Sequence, residues 1–403
     1  MTYRTIPHFI IKNNLQKSNV TKVYFSDIVT KDILKDICIK ITGQEHFEYE
    51  FVDNEYSDDF LNKSYNKGRL AIMHFQNTVY YITFSEKEIN GRNSSIQSIP
   101  TAFNMFYTNP YPNKKLCYYF LNSSSTCETN YHILFYRLMS TLGVTFLNVQ
   151  EPLKSSIIPF SSVDDIIYNR KSNSGKNSSN NSTFITKGHN GEIEIFGKTY
   201  GANKYETSFL CYALSKLNLS SEKIKLFEII DNNLKALPKS SLEVIDLMGN
   251  IDVIPTDRKL EKNIFKKHNS LRSPRYSFNL FNKLGNKRCA VCDCQIPELI
   301  QGAHVFPVAN IKKMVGYSED QLLEWATDGE NGLWLCENHH KMFDEGMLTF
   351  DNNGKLVFND SIDSRHFDFI DSTTKIEKLP EYIITEKFLW YLDQRKKIDK
   401  YNF

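Results

Sequence analysis

The stretch ENGLWLCENHHKMFDEG, Glu330 to Gly346, decides how the C-terminal part of this chain folds. Cys336-Glu-Asn-His339 is a knuckle of zinc-ligand type, and His340 follows it at once. Upstream, Cys289-Ala-Val-Cys292 forms a second knuckle. That spacing lets two thiolates converge on one tetrahedral ion. Forty-three residues lie between Cys292 and Cys336, more than a simple zinc finger allows. A functional element must therefore be inserted between the pairs. A lone CxxC is weak evidence; two paired knuckles are a strong case for structural zinc. Cys294 remains a rival for one ligand position. The other cysteines, Cys38, Cys117, Cys127 and Cys211, stand singly and read as small buried hydrophobes.

The insert contains Ala303-His304-Val305-Phe306-Pro307, a β-like stretch with one histidine, and then Asn331 at a turn. A lone histidine is usually a satisfied structural residue. Here a strand histidine, an asparagine turn and a helix-borne histidine, His340, are folded onto one staple, which argues against coincidence.

The 403 residues suffice for two or three domains, and 41% hydrophobic content allows sizeable cores. Mean hydropathy is -0.42. No apolar run approaches the length of roughly 18 residues that a membrane span requires. Residues 1–15 lack a continuous apolar segment and read as no signal peptide. Clustered cysteines without a secretion signal point to metal and a reducing, cytoplasmic compartment. The net charge of +2 hides a local stripe. Between Arg258 and Arg288 ten Lys/Arg face one acid, Glu261. Lys266, Lys267, Arg272 and Arg275 lie in this stripe just ahead of the metal motif and are the candidate phosphate contacts. The plainer alternative is a solvated helix face.

Composition divides the chain into four parts. Residues 1–170 read as a mixed α/β domain, with strands over 21–25, 70–75, 79–84 and 115–121 and a helix over 131–141. It is the candidate DNA-recognition domain. Its aromatics Phe103, Phe106, Tyr107 and Tyr111 suit either base stacking or, more commonly, a core. Residues 171–183, rich in Ser and Asn, read as a flexible linker. Residues 184–257 read as a small middle module: a strand or hairpin over 191–200 and helices over 206–217 and 221–231, compatible with a winged-helix-like reader or a spacer. Residues 258–403 form the final module, with a helix over 276–284 and an amphipathic one over 386–398. Arg395, Lys396 and Lys397 at its end complement the helix dipole. The fold class expected is α+β and multidomain.

The order Cys289–Cys292, Ala303-His304-Val305-x-Pro307, Asn331-Gly332-Leu333-x-Leu335-Cys336, His339-His340 and Phe343-Asp344-x-Gly346 resembles the HNH nucleases, the ββα-metal fold. It is most similar to the branch found in bacterial restriction endonucleases and related defence nucleases. The resemblance covers about residues 287–348. It implies that His304 is the general base, Asn331 the residue that holds the base-bearing loop, and His340 a ligand of a catalytic Mg²⁺ or Mn²⁺ ion. It assigns Cys289, Cys292, Cys336 and His339 to structural Zn²⁺. Asp344, one helical turn after His340, is placed to complete the catalytic metal site. Many members carry Asp or His immediately before the base, where this chain has Ala303.

The function expected is metal-dependent hydrolysis of double-stranded DNA, leaving 5′-phosphate and 3′-hydroxyl ends, by a type II-like restriction endonuclease. A homodimer is left open as the assembly. A modified-base-dependent or non-specific defence nuclease is the alternative within the same chemistry. A non-catalytic zinc-ribbon DNA-binding protein is the alternative outside it, and His304, which zinc binding does not need, separates the two.

Overall fold

The computed structural model describes residues 3–13, 15–17, 22–52, 70–85, 99–121, 130–149, 151–170, 183–197, 203–218, 223–230, 237, 239–269, 271 and 273–398. Residues 171–182 of the expected linker, Cys127 and Arg272 lie outside them, while Thr183, its last residue, begins a strand. The chain forms two compact units: Met1–Ile166 with Lys204–Ser220 and Leu237–Ile251, and Ile167–Asn203 with Ser221–Ala236 and Asp252–Phe403.

The first unit is built on a six-stranded sheet. Its strands are β1 (Arg4–Lys12), β2 (Glu48–Val52), β3 (Leu70–Gln76), β4 (Thr78–Phe84), β5 (Lys114–Tyr119) and β6 (Thr145–Leu147), in the order β2-β1-β3-β4-β5-β6. Only β3 runs against its neighbours; β1–β2, β4–β5 and β5–β6 pair parallel. The near-continuous apolar runs of β3 and β4, which made them legible as strands, reflect burial on both faces. Helices α1 (Lys31–Thr42), α2 (Ile99–Thr108), α3 (Asn130–Thr141), α4 (Asn203–Leu217) and α5 (Lys239–Met248) belong to the same unit. Phe103 is fully buried, stacked on Tyr212 at 5.1 Å and 3°, so this aromatic belongs to the core.

The second unit holds a four-stranded sheet of β7 (Thr183–Lys187), β8 (Ile193–Gly197), β9 (Ile224–Ile229) and β10 (Ile251–Thr256), in the order β10-β9-β8-β7. The helix expected over 221–231 is corrected here: Ile224–Ile229 is a strand, parallel to β8. The sequence Ile-Lys-Leu-Phe-Glu-Ile buries positions 224, 226, 228 and 229, a largely alternating pattern that suits a strand. The chain over 184–257 is shared between the units, α4 and α5 going to the first and these strands to the second.

Around the sheet come α6 (Arg258–Lys267), α7 (Pro274–Leu284), β11 (Ile300–His304), α8 (Glu319–Thr327), β12 (Gly332–Cys336), α9 (Glu337–Asp344), β13 (Leu348–Phe350), β14 (Leu356–Phe358) and α10 (Glu386–Lys396). One apolar core joins the sheet to these elements: Phe184 stacks on Phe281 of α7 at 5.0 Å, and Phe281 meets Trp334 of β12. The expected α+β, multidomain class is what the molecule shows.

Candidate active site and metal centre

β11 and β12 form an antiparallel hairpin in which His304 lies opposite Gly332 and Ala303 opposite Leu333. The hairpin leads directly into α9, giving a ββα unit. α7 packs across it. Ser273 caps that helix by accepting the Arg275 N–H at 3.1 Å, and Pro274 pre-sets its first turn. The missing side chain at Gly332 is a steric requirement, because a Cβ there would collide with the Tyr276 hydroxyl. Tyr276 thereby slides beneath His304, ring on ring at 4.0 Å and 10°.

His304 donates from Nε2 to the Ala326 carbonyl at 2.9 Å. A carbonyl only accepts, so in the neutral ring Nε2 carries the hydrogen and Nδ1 keeps its lone pair. Burial pushes the His304 pKa down to about 4, the charge of His340 acts the same way, and the Ala326 bond opposes both. The ring is therefore neutral at pH 7.

Asn331 is fully buried. Its Oδ1 accepts the Phe306 N–H at 2.7 Å, and its Nδ2 donates to the carbonyls of Phe306 and Trp325, both at 3.1 Å. Its own carbonyl accepts the Val305 N–H. One side chain thus ties down the turn that follows His304, leaving no exposed amide oxygen to offer an ion. Ala303 is buried too. Among the groups that could make up for the missing ligand at 303, Asp344 lies close to His340. Its Oδ2 lies 3.4 Å from Nε2 of His340, one turn apart on α9. Adjacent octahedral ligands of Mg²⁺ are about 3 Å apart, so the pair can touch one ion while substrate and water supply the other positions.

Cys289, Cys292, Cys336 and His339 are all buried, with their ligand atoms within 4.8 Å of one another. A Zn–S bond of about 2.3 Å gives a tetrahedral edge of about 3.8 Å. Cys292 and Cys336 sulfurs are 3.8 Å apart, and Cys289 Sγ is 3.7 Å from His339 Nδ1. The donor set and its dimensions fit zinc. His339 Nε2 faces the Thr374 hydroxyl at 3.3 Å, the outer partner that fixes which nitrogen ligates. Cys294 is not among the four; its carbonyl accepts the Cys289 N–H instead.

Much of the basic stripe is engaged within the unit. Arg258 and Lys262 pair with Asp320, Lys266 with Glu319, and Lys283 with Glu330. Arg275 bonds buried Glu261 at 2.7 Å and the Ile230 carbonyl at 2.7 Å, which makes it part of the interior. Lys266 and Lys267 are exposed.

Three residues near the site have no local sequence signal: Tyr276, Thr374 and Arg395. Arg395, expected to complement the helix dipole at the end of α10, is fully buried. It shares a helical face with Phe388, Tyr391 and Leu392, which turns it inward.

Across its length the chain matches no curated protein. Residues 289–351 match the family model described as HNH endonuclease, and this segment of the chain belongs to that family.

Proposed function

We propose that the chain is a metal-dependent endonuclease that hydrolyses double-stranded DNA, of the type II-like restriction kind. The observation that carries this reading is the geometry of His304: Nε2 bonded to the Ala326 carbonyl, the lone pair of the neutral ring left on Nδ1, and its turn fastened by Asn331. The four zinc ligands do not need any of this, so a zinc ribbon without catalysis leaves it unexplained. Nδ1 of His304 takes a proton from water as the oxygen forms its bond to phosphorus, and the P–O3′ bond breaks, the leaving oxygen being protonated from solvent. His340 and Asp344 would hold Mg²⁺ or Mn²⁺, which when bound would stabilise the charge on the phosphate and the departing oxygen. Lys266 and Lys267 supply phosphate contacts; Lys266 can exchange its exposed pairing with Glu319 for a phosphate, since such a surface pair is worth little. The first unit is the proposed sequence reader.

His304→Ala is expected to keep zinc and DNA affinity and to lose at least ~10²-fold in single-turnover cleavage. Cleavage at the wild-type rate would sink the assignment. Matched methylated and unmethylated substrates separate a modified-base-dependent enzyme from the restriction reading.

A further inference from the structure

α10 lies beyond the family match, yet its side chain Arg395 reaches the catalytic elements. Its guanidinium donates to the Val305 carbonyl at 3.1 Å and to the Phe343 carbonyl, and lies over the Phe343 ring at 3.8 Å. Val305 follows His304; Phe343 sits between His340 and Asp344. The Val305 N–H, and both backbone groups of Phe306, are already held by Asn331. Arg395 takes the remaining one, the Val305 carbonyl, so all four backbone groups of the turn behind the base are tied. The second arm of the same rigid fork fixes the last turn of α9.

Stability alone is a poor account of this residue. Burying a guanidinium costs several kcal/mol, and apolar replacements of buried ions are often neutral or stabilising. A planar fork bonded at two points offers something an apolar side chain does not, a set distance between two backbones. We propose that Arg395 is a positioning residue: it holds the turn carrying His304 and the helix end carrying Asp344 at the separation that cleavage needs. This rests on the nuclease reading above.

The test uses the full chain with Arg395→Met, which keeps the stem and removes the fork, and Arg395→Lys, which keeps the charge on a single head. Zinc content, melting temperature, DNA affinity without added divalent ion, and single-turnover rate across a Mn²⁺ titration are measured for each. Expected are full zinc content, unchanged DNA affinity, a higher Mn²⁺ requirement and a rate loss on the order of 10²-fold for Met, the scale of a misplacement of about 1 Å. Lys should fall between Met and wild type. A folded variant that cuts at the wild-type rate overturns the proposal, even if it melts earlier. If Met does not fold, Lys decides; if neither folds or holds zinc, the residue serves the fold and the proposal fails. A wild-type chain that cuts no DNA with any divalent ion removes the nuclease reading and this one with it, whereas active wild type with undiminished variants removes this one alone.

Discussion

His339 and His340 are neighbours on one helix and, on the proposed reading, belong to centres of opposite character. Adjacent helical residues point about 100° apart, so the two rings leave α9 in different directions. His339 enters a ring of four buried ligands, with Thr374 behind it. His340 pairs with the carboxylate of Asp344, whose side chain is 53% exposed against 19% for His340. A buried site with four protein ligands can only hold its ion. A pair that solvent reaches through Asp344 would leave positions for water and phosphate, as a catalytic ion requires. On that reading, two consecutive residues of one helix serve a folding device and a chemical one.

The sharpest way to break this comparison is Cys336→Ser. Structural zinc contributes folding free energy directly, of order 10 kcal/mol in small zinc domains. The variant is expected to lose zinc and unfold the ββα unit, seen as new protease cleavage in 289–351 and complete loss of activity. Undiminished zinc by elemental analysis would show that another group, Cys294 first, takes the fourth position.

Asp344→Asn should leave fold and zinc intact and act on the open centre alone, raising the Mg²⁺ or Mn²⁺ concentration for half-maximal cleavage by about 10–100-fold. An unchanged metal requirement would remove Asp344 from the site.

The smallest effect lies in pH. With its pKa pushed down to about 4, His304 keeps its lone pair well below the ordinary histidine value of 6.5. The acid limb of the single-turnover rate should therefore fall below pH 6.5. Stability follows the same sign: the unfolded chain takes up a proton at 6.5 that the folded ring refuses. The contribution is complete above pH 6.5 and is lost as pH falls from there toward the folded value. Denaturant melts at pH 7.5 and pH 5, for wild type and His304→Asn, measure it; a wild-type loss no larger than the variant's would contradict it.

Most of this centre was legible because its parts are local. Knuckles need spacings of three, and His340–Asp344 needs one turn, so both stand in the sequence as patterns. Asn331 and His304 came through resemblance, since no spacing rule relates them. Contacts made by distant side chains left no trace. Arg395 meets a carbonyl 90 residues away, and Arg275 finds its buried carboxylate on the preceding helix. The pairing of the basic stripe was hidden for a related reason: acids that meet part of it, Glu319 and Asp320, begin α8, far downstream. The strand over Ile224–Ile229 was misread because a short apolar run fits either period and its partner strand decides.

Gly332 has a counterpart in Gly329, where a Cβ would collide with the backbone carbonyl of Asn279 in α7. Neither glycine carries a side chain, and neither would attract attention in a search for catalytic groups. Yet the helix seats itself on bare main chain at these two points, where a single methyl has nowhere to go. For anyone redesigning or recombining this nuclease, the positions behave as keyholes: α7 and the hairpin must be moved together, as one cassette starting before residue 274, and a graft of the ββα unit alone would leave its lock without the key.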